Sequence, residues 1–215
     1  MIPFHDENPT KTFPILTILL ISSNIFIFFW GLGLPMDPME FYYSYGLVPY
    51  QLVNAPVANY SNIYSSMFLH SGLGHLAGNM LYMWIFGNNI EDVLGKVRFI
   101  LFYLICGTLA AFCHIAMDTS STIPMVGASG AISGILGAYM ILFPNAKVKT
   151  LIFLGFFITI IRIRAVILLA LWMLFQIISV LAAPEGGGGG VAWSAHVGGF
   201  LVGMALILPF KKLRI

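Results

Sequence analysis

MVGASGAISGILGAY, residues 125–139, sets small residues at a fixed spacing in an apolar context. Gly127 and Ala131, Gly130 and Gly134, and Gly134 and Ala138 each stand four apart. On a helix that spacing lines small side chains along one face, which is how helices approach closely in lipid. The remainder of the chain agrees with a membrane reading. Of 215 residues, 59% are hydrophobic and only 8% are charged, against about a quarter charged in a soluble domain. Mean hydropathy is +0.93. The expectation is one membrane domain over residues 1–215, all-α, with five to seven spans.

Six runs read as spanning helices: residues 13–32, 73–90, 99–117, 129–143, 165–183 and 195–210. A further apolar piece, residues 151–161, is too short to cross and reads as interfacial or re-entrant. The first 12 residues hold two acids and two prolines and lack a positive n-region, so no cleavable signal is expected. Lys11, Lys96, Arg98, Lys147, Lys149, Arg162, Arg164, Lys211, Lys212 and Arg214 all fall on one side of a six-span arrangement. The connections on the other side carry no Lys or Arg. By the positive-inside rule both termini are cytoplasmic. A seventh span would send Lys211, Lys212 and Arg214 outside and break the pattern. Cys106 and Cys113 are seven apart, ~10 Å along a helix. That is too far for a bridge within one helix, so both are expected as free thiols.

The fourth and sixth spans have only 15 or 16 residues, ~23 Å against a hydrocarbon core of ~30 Å. Both begin on the outer side, so the loops feeding them must dip inward. Such backbone needs cover from protein or trapped water. A wet depression opening outward follows. The long first connection, residues 33–71, carries Phe41, Tyr42, Tyr43, Tyr45, Tyr50, Tyr60 and Tyr64, which suits contact with the headgroup region. The five glycines at 186–190 read as a slack turn or a moving lid beside the sixth span.

Four polar residues share the depth of that depression. Ser129 opens the fourth span and His196 is second in the sixth, while His75 and Asn79 stand at i and i+4 on the second. A serine needs a base to become nucleophilic, and His is the usual one near neutral pH. An oxyanion needs donors. The N–H groups at the start of the Ser129 helix, the Asn79 amide and a His75 N–H can supply them. No acid has an evident tie to His196, so the arrangement reads as a Ser–His dyad. Each residue alone has a blander reading. GASG is first a packing motif, and it lacks the final Gly of the soluble-hydrolase elbow because residue 131 is Ala. His70 and His75 could ligate a metal with His196, but no carboxylate joins them. His114 reads as structural. The four residues at one level are what packing does not explain.

These motifs resemble the rhomboid family of intramembrane serine proteases over most of the chain. GASG matches the family's G-x-S-G, AHVGG its A-H-x-x-G, and HLAGN its H-x-x-x-N. The resemblance implies Ser129 as nucleophile, His196 as general base, and His75, Asn79 and the Ser129 backbone as the oxyanion site. It places Gly127, Gly130, Gly199 and Glu91 as structural support, Glu91 at the cytoplasmic end of the second span. The fold implied is a six-transmembrane-helix rhomboid-type bundle with a long membrane-associated first loop. The substrates implied are transmembrane proteins in the lipid bilayer, cleaved from the extracytoplasmic side of a bacterial inner membrane. No metal, cofactor or nucleic-acid partner is expected. Two positions depart from some members. Ser61 and Asn62 stand where those carry Trp-Arg, and Ser133 stands where those carry a Tyr that stacks on the histidine, so what orients His196 is open. No His precedes Glu as a zinc protease would want, and no Asp or Glu falls inside a span for an aspartyl protease. The rival classes are a non-catalytic rhomboid-like protein that binds transmembrane segments, and a channel, which would need a polar path through both leaflets.

Overall fold

The computed structural model describes residues 1–155, 157–183 and 191–212. The first long helix, α1 (Ile15–Leu32), leads into four short helices of the first loop: α2 (Pro38–Tyr45), α3 (Pro49–Asn54), α4 (Pro56–Asn59) and α5 (Asn62–Ser65). Then come α6 (Leu73–Tyr82), a π-helical turn (Met83–Gly87) and α7 (Asn88–Leu94), which together form one continuous helical run. They are followed by α8 (Lys96–Met117), α9 (Ser129–Leu142), α10 (Ala165–Ala182) and α11 (Trp193–Lys212). Among the described residues, α1, α8, α10 and α11 are long and apolar enough to cross a membrane. The run Leu73–Leu94 and the shorter apolar α9 complete a six-helix bundle. Large side chains such as Phe26, Phe112, Phe175 and Leu201 stay exposed on its outer faces, as expected of a surface solvated by lipid tails.

α9 sits at the centre, with Ala131, Ile135, Leu136, Ala138 and Tyr139 at 1% exposure or less. Its neighbours come close because both sides of the contact lack side chains. A Cβ at Gly199 would overlap the Gly130 carbonyl, one at Gly203 the Gly134 carbonyl, and one at Gly137 the Phe200 carbonyl. On the α8 side, a Cβ at Gly134 would lie 2.5 Å from the Cys106 Cβ. The small residues of the 125–139 stretch therefore form a backbone-to-backbone seam between α9 and α11. Cys106 and Cys113 are free.

Three expectations change. The chain is not all-α: residues 151–161, expected as an interfacial or re-entrant piece, are extended. They belong to a hairpin of β2 (Lys147–Leu154) and β3 (Phe157–Arg164), which pairs antiparallel with β1 (Ile2–Asp6) in a sheet of order β1-β2-β3. The segment is dense in Ile, Thr and Phe, which suit a pleated surface, and Gly155 turns the hairpin at φ +61°. A short apolar run does not separate strand from helix by composition. α11 has 20 residues rather than 16, gaining Trp193 and Ser194 at its start and two lysines at its end. Only α9, at 14 residues, is short. The second span runs four residues past its expected end, to Leu94. The 186–190 glycines lie outside the described residues.

That longer helix carries the anchors of the basic end. Glu91, 2% exposed, accepts from the Leu16 N–H (3.0 Å), the Thr17 N–H (2.8 Å) and the Thr17 hydroxyl (2.8 Å). Asp92 accepts from the N–H groups of Lys11 and Thr12 and from the Thr12 hydroxyl. Two adjacent carboxylates thus satisfy the orphan donors before and within the first turn of α1, where negative charge is favoured. Asp6 of β1 is bonded to Asn89 (2.9 Å) and to the Tyr139 hydroxyl (2.8 Å), which ties the sheet to α7 and α9.

Gly203→Val forces the seam apart. It is expected to cost about 1–3 kcal/mol or more and to lower the melting midpoint in detergent by several degrees. Gly78→Ala, where a methyl meets nothing within 4 Å, leaves the midpoint unchanged or raises it.

Candidate functional site

Ser129 is the first residue of α9, after Ala128. The backbone before it is held from the first loop. Leu47 and Met125 exchange two backbone hydrogen bonds (3.0 and 2.8 Å), and the Gly127 N–H donates to the Ser66 carbonyl (2.8 Å). The aromatic-rich loop is therefore a clamp on the strand that delivers Ser129, while Tyr43, Tyr45, Tyr50, Tyr60 and Tyr64 remain exposed along it. Gly127 adopts φ +126°, and a Cβ there would lie 2.7 Å from His75 Nε2. Glycine is needed on both counts.

His196 lies in the first turn of α11, across the seam from Ser129. Its Nε2 is 2.8 Å from Ser129 Oγ. Its Nδ1 is 2.8 Å from Gln176 Oε1 on α10. Trp172, one turn before Gln176, has its ring centroid 6.0 Å from the imidazole at an interplanar angle of 32°, and Trp193 meets the ring edge-on at 6.0 Å. Ser133 has another use: its hydroxyl donates to the Ser129 carbonyl (2.6 Å). The aromatic neighbours of the histidine thus come from α10 and α11 rather than α9.

His75 and Asn79 line the same cleft, which has a volume of about 410 Å³ and also holds Ser129, His196 and Trp172 on its walls. The Ser71 N–H reaches His75 Nδ1 (3.4 Å). The Ser71 hydroxyl is also 3.1 Å from Nδ1; with both Ser71 groups donating, Nδ1 is the acceptor and the ring hydrogen sits on Nε2, beside Gly127. Asn79 uses one amide N–H on the His75 carbonyl (2.9 Å) and keeps a second. Donors from α6 and from the first turn of α9 thus border one space next to Ser129 Oγ.

Residues 58–212 match the family model described as the rhomboid domain. The chain belongs to the rhomboid family. It is 30% identical over 222 aligned positions to rhomboid protease AarA of Providencia stuartii, covering 93% of this chain and 75% of that protein. It is 31% identical to the mitochondrial rhomboid protein 1 of Saccharomyces cerevisiae, over 64% of this chain and 39% of the other. Against rhomboid protease GluP of Bacillus subtilis it is 44% identical over 72 residues, 34% of this chain and 14% of the other. The chain spans well under half the length of these last two relatives. It is a multi-pass integral membrane protein of an intramembrane protease family, one that also contains inactive members.

Of the residues singled out in this rhomboid's sequence, Ser129, His196, His75, Asn79, Gly127 and Gly130 border one cleft, while Gly199 lies in the α9–α11 seam and Glu91 against the start of α1. Gln176 and Trp172 were missed, although an amide inside an 18-residue apolar helix was a visible signal. His114, read as structural, bonds Ser194 at 2.8 Å and so links α8 to the start of α11. His70 sits behind His75, ring centroids 5.0 Å apart, at 2% exposure.

Burial, with His75 beside it, pushes the His70 imidazole from 6.5 down to about 4. The unfolded chain then takes up a proton below pH 6.5 that the folded rhomboid refuses until about pH 4. This contribution to stability is intact above 6.5 and is lost as the pH falls, on the order of 3 kcal/mol at full effect. Melting curves of wild type and His70→Phe between pH 7.5 and 4.5 are expected to show a shallower acid slope for the variant.

Proposed function

We propose that this rhomboid is an intramembrane serine endopeptidase that hydrolyses peptide bonds within or next to transmembrane segments, with Ser129 as nucleophile and His196 as general base. The observation that carries the reading is the 2.8 Å contact between Ser129 Oγ and His196 Nε2 at a cleft that also holds His75 and Asn79.

A helical peptide bond is shielded by its own hydrogen bonds, so the substrate segment must unwind locally to present a carbonyl. Small and helix-destabilising residues near the cut favour this. Ser129 Oγ attacks that carbonyl carbon and its proton passes to His196 Nε2. The carbonyl oxygen becomes an oxyanion, held by the Ser129 N–H, the free Asn79 N–H and His75 Nε2–H. His196 returns the proton to the leaving amine, and the acyl-enzyme forms on Ser129. A water from the cleft, deprotonated by His196, then attacks the ester and frees the carboxyl product and the serine. The charge distribution supports both termini in the cytoplasm, with the cleft opening to the extracytoplasmic side of a bacterial inner membrane.

The test is cleavage of a model single-pass substrate by purified protein in detergent. Ser129→Ala and His196→Ala are each expected to lose at least ~10³-fold in kcat, and a serine-directed covalent probe is expected to label wild type alone. Equal cleavage by wild type and Ser129→Ala overturns the proposal.

A further inference from the structure

α10 is an 18-residue helix of almost wholly apolar residues. Two of its side chains are polar. Ser179 is exposed and bonds back to the Phe175 carbonyl (2.8 Å). Gln176 is 2% exposed, and an amide buried without partners costs roughly 2–7 kcal/mol. Both ends of that amide are in use: Nε2 donates to the Trp172 carbonyl (3.2 Å) and Oε1 lies 2.8 Å from His196 Nδ1.

We infer that Gln176 is a positioning residue for His196: its amide oxygen holds the ring in the tautomer that leaves Nε2 free to take the Ser129 proton. This rests on the reading of Ser129 and His196 as nucleophile and base. The orientation of the amide follows from its partners. Trp172 O is an acceptor, so the NH₂ group must face it and the oxygen must face the histidine. A flipped amide would set two oxygens against each other at the Trp172 carbonyl. A carbonyl oxygen only accepts, so Nδ1 carries the ring hydrogen. Nε2 then has a lone pair directed at Ser129 Oγ, as a general base requires. Trp172 and Gln176, four apart on α10, fix the ring's face and its edge together.

The third member is thus a neutral amide, as in proteases that use Cys, His and Asn. It fixes geometry without burying a carboxylate at membrane depth, where a charge is costly. Among the described residues no acid is bonded to His196, and Gln176 supplies the orientation that an acid would otherwise give.

The test pairs kinetics with a direct view of the ring. Gln176→Leu is expected to lower kcat ~10–100-fold, the loss of one buried hydrogen bond to a group that becomes charged, with KM unchanged. Gln176→Glu, which keeps an acceptor oxygen at the same reach, recovers part of that loss. In ¹⁵N-histidine NMR of detergent-solubilised protein, the His196 signals, assigned by their disappearance in His196→Ala, are expected to report protonated Nδ1 and bare Nε2. In Gln176→Leu they are expected to report both tautomers. Wild-type kcat in the Leu variant, a Glu variant no better than Leu, or an unchanged tautomer overturns the inference. A wild-type protein that cleaves nothing defeats the protease reading instead, while the NMR measurement still decides the role of Gln176.

Discussion

Two helix backbones in contact, α9 against α11, are the constraint on which the rest of this molecule depends. Gly130 faces Gly199 and Gly134 faces Gly203, and no side chain fits between them. Lipid tails are as apolar as Leu, so burying apolar surface gives helices little reason to associate. Close van der Waals contact does the work instead. The same contact sets the distance between the first turns of the two helices. Ser129 and His196 sit on those turns, and 2.8 Å between their side chains is reached because the backbones beneath them already touch. Packing and site geometry are one arrangement.

The rest of the molecule orients what the seam brings together. The first loop holds Met125 and Gly127 by backbone hydrogen bonds, so the strand before α9 is fixed before the helix starts. α6 brings His75 and Asn79 to the same cleft, and α10 brings Trp172 and Gln176 to the histidine. His75 and Asn79 each have a partner on one hydrogen-bonding position, the Ser71 N–H and the His75 carbonyl, while Gln176 spends both ends of its amide on Trp172 and His196. The site contains no buried carboxylate among the described residues. The ring is held by a neutral amide and flat aromatic faces, which low-dielectric surroundings tolerate at far smaller cost than a charge.

At the opposite end the logic inverts. Glu91 is a buried acid, but it spends its oxygens on the first turn of α1. The sheet there buries Val148 and Thr150 and anchors Asp6 to Asn89 and Tyr139. Tyr139 lies in the same α9 that begins with Ser129. One short helix therefore joins the polar anchor of one end to the cleft of the other.

By itself the sequence determined the bundle, because lipid imposes long apolar helices and places charge at their ends, and both are written residue by residue. It also put Ser129, His196, His75 and Asn79 at one level, because equal depth follows from counting residues into helices of known rise. The hairpin at 147–164 was not legible: a short apolar run suits a strand or a helix, and its pairing with residues 2–6 is set by contacts far apart in sequence. Nor was the partner of His196, although Ser133 showed that something other than an aromatic on α9 had to orient it. Which residue of α10 meets which residue of α11 depends on the rotation of each helix about its own axis. Only the packed structure decided that rotation, because a helix with apolar residues on every side carries no marked face of its own.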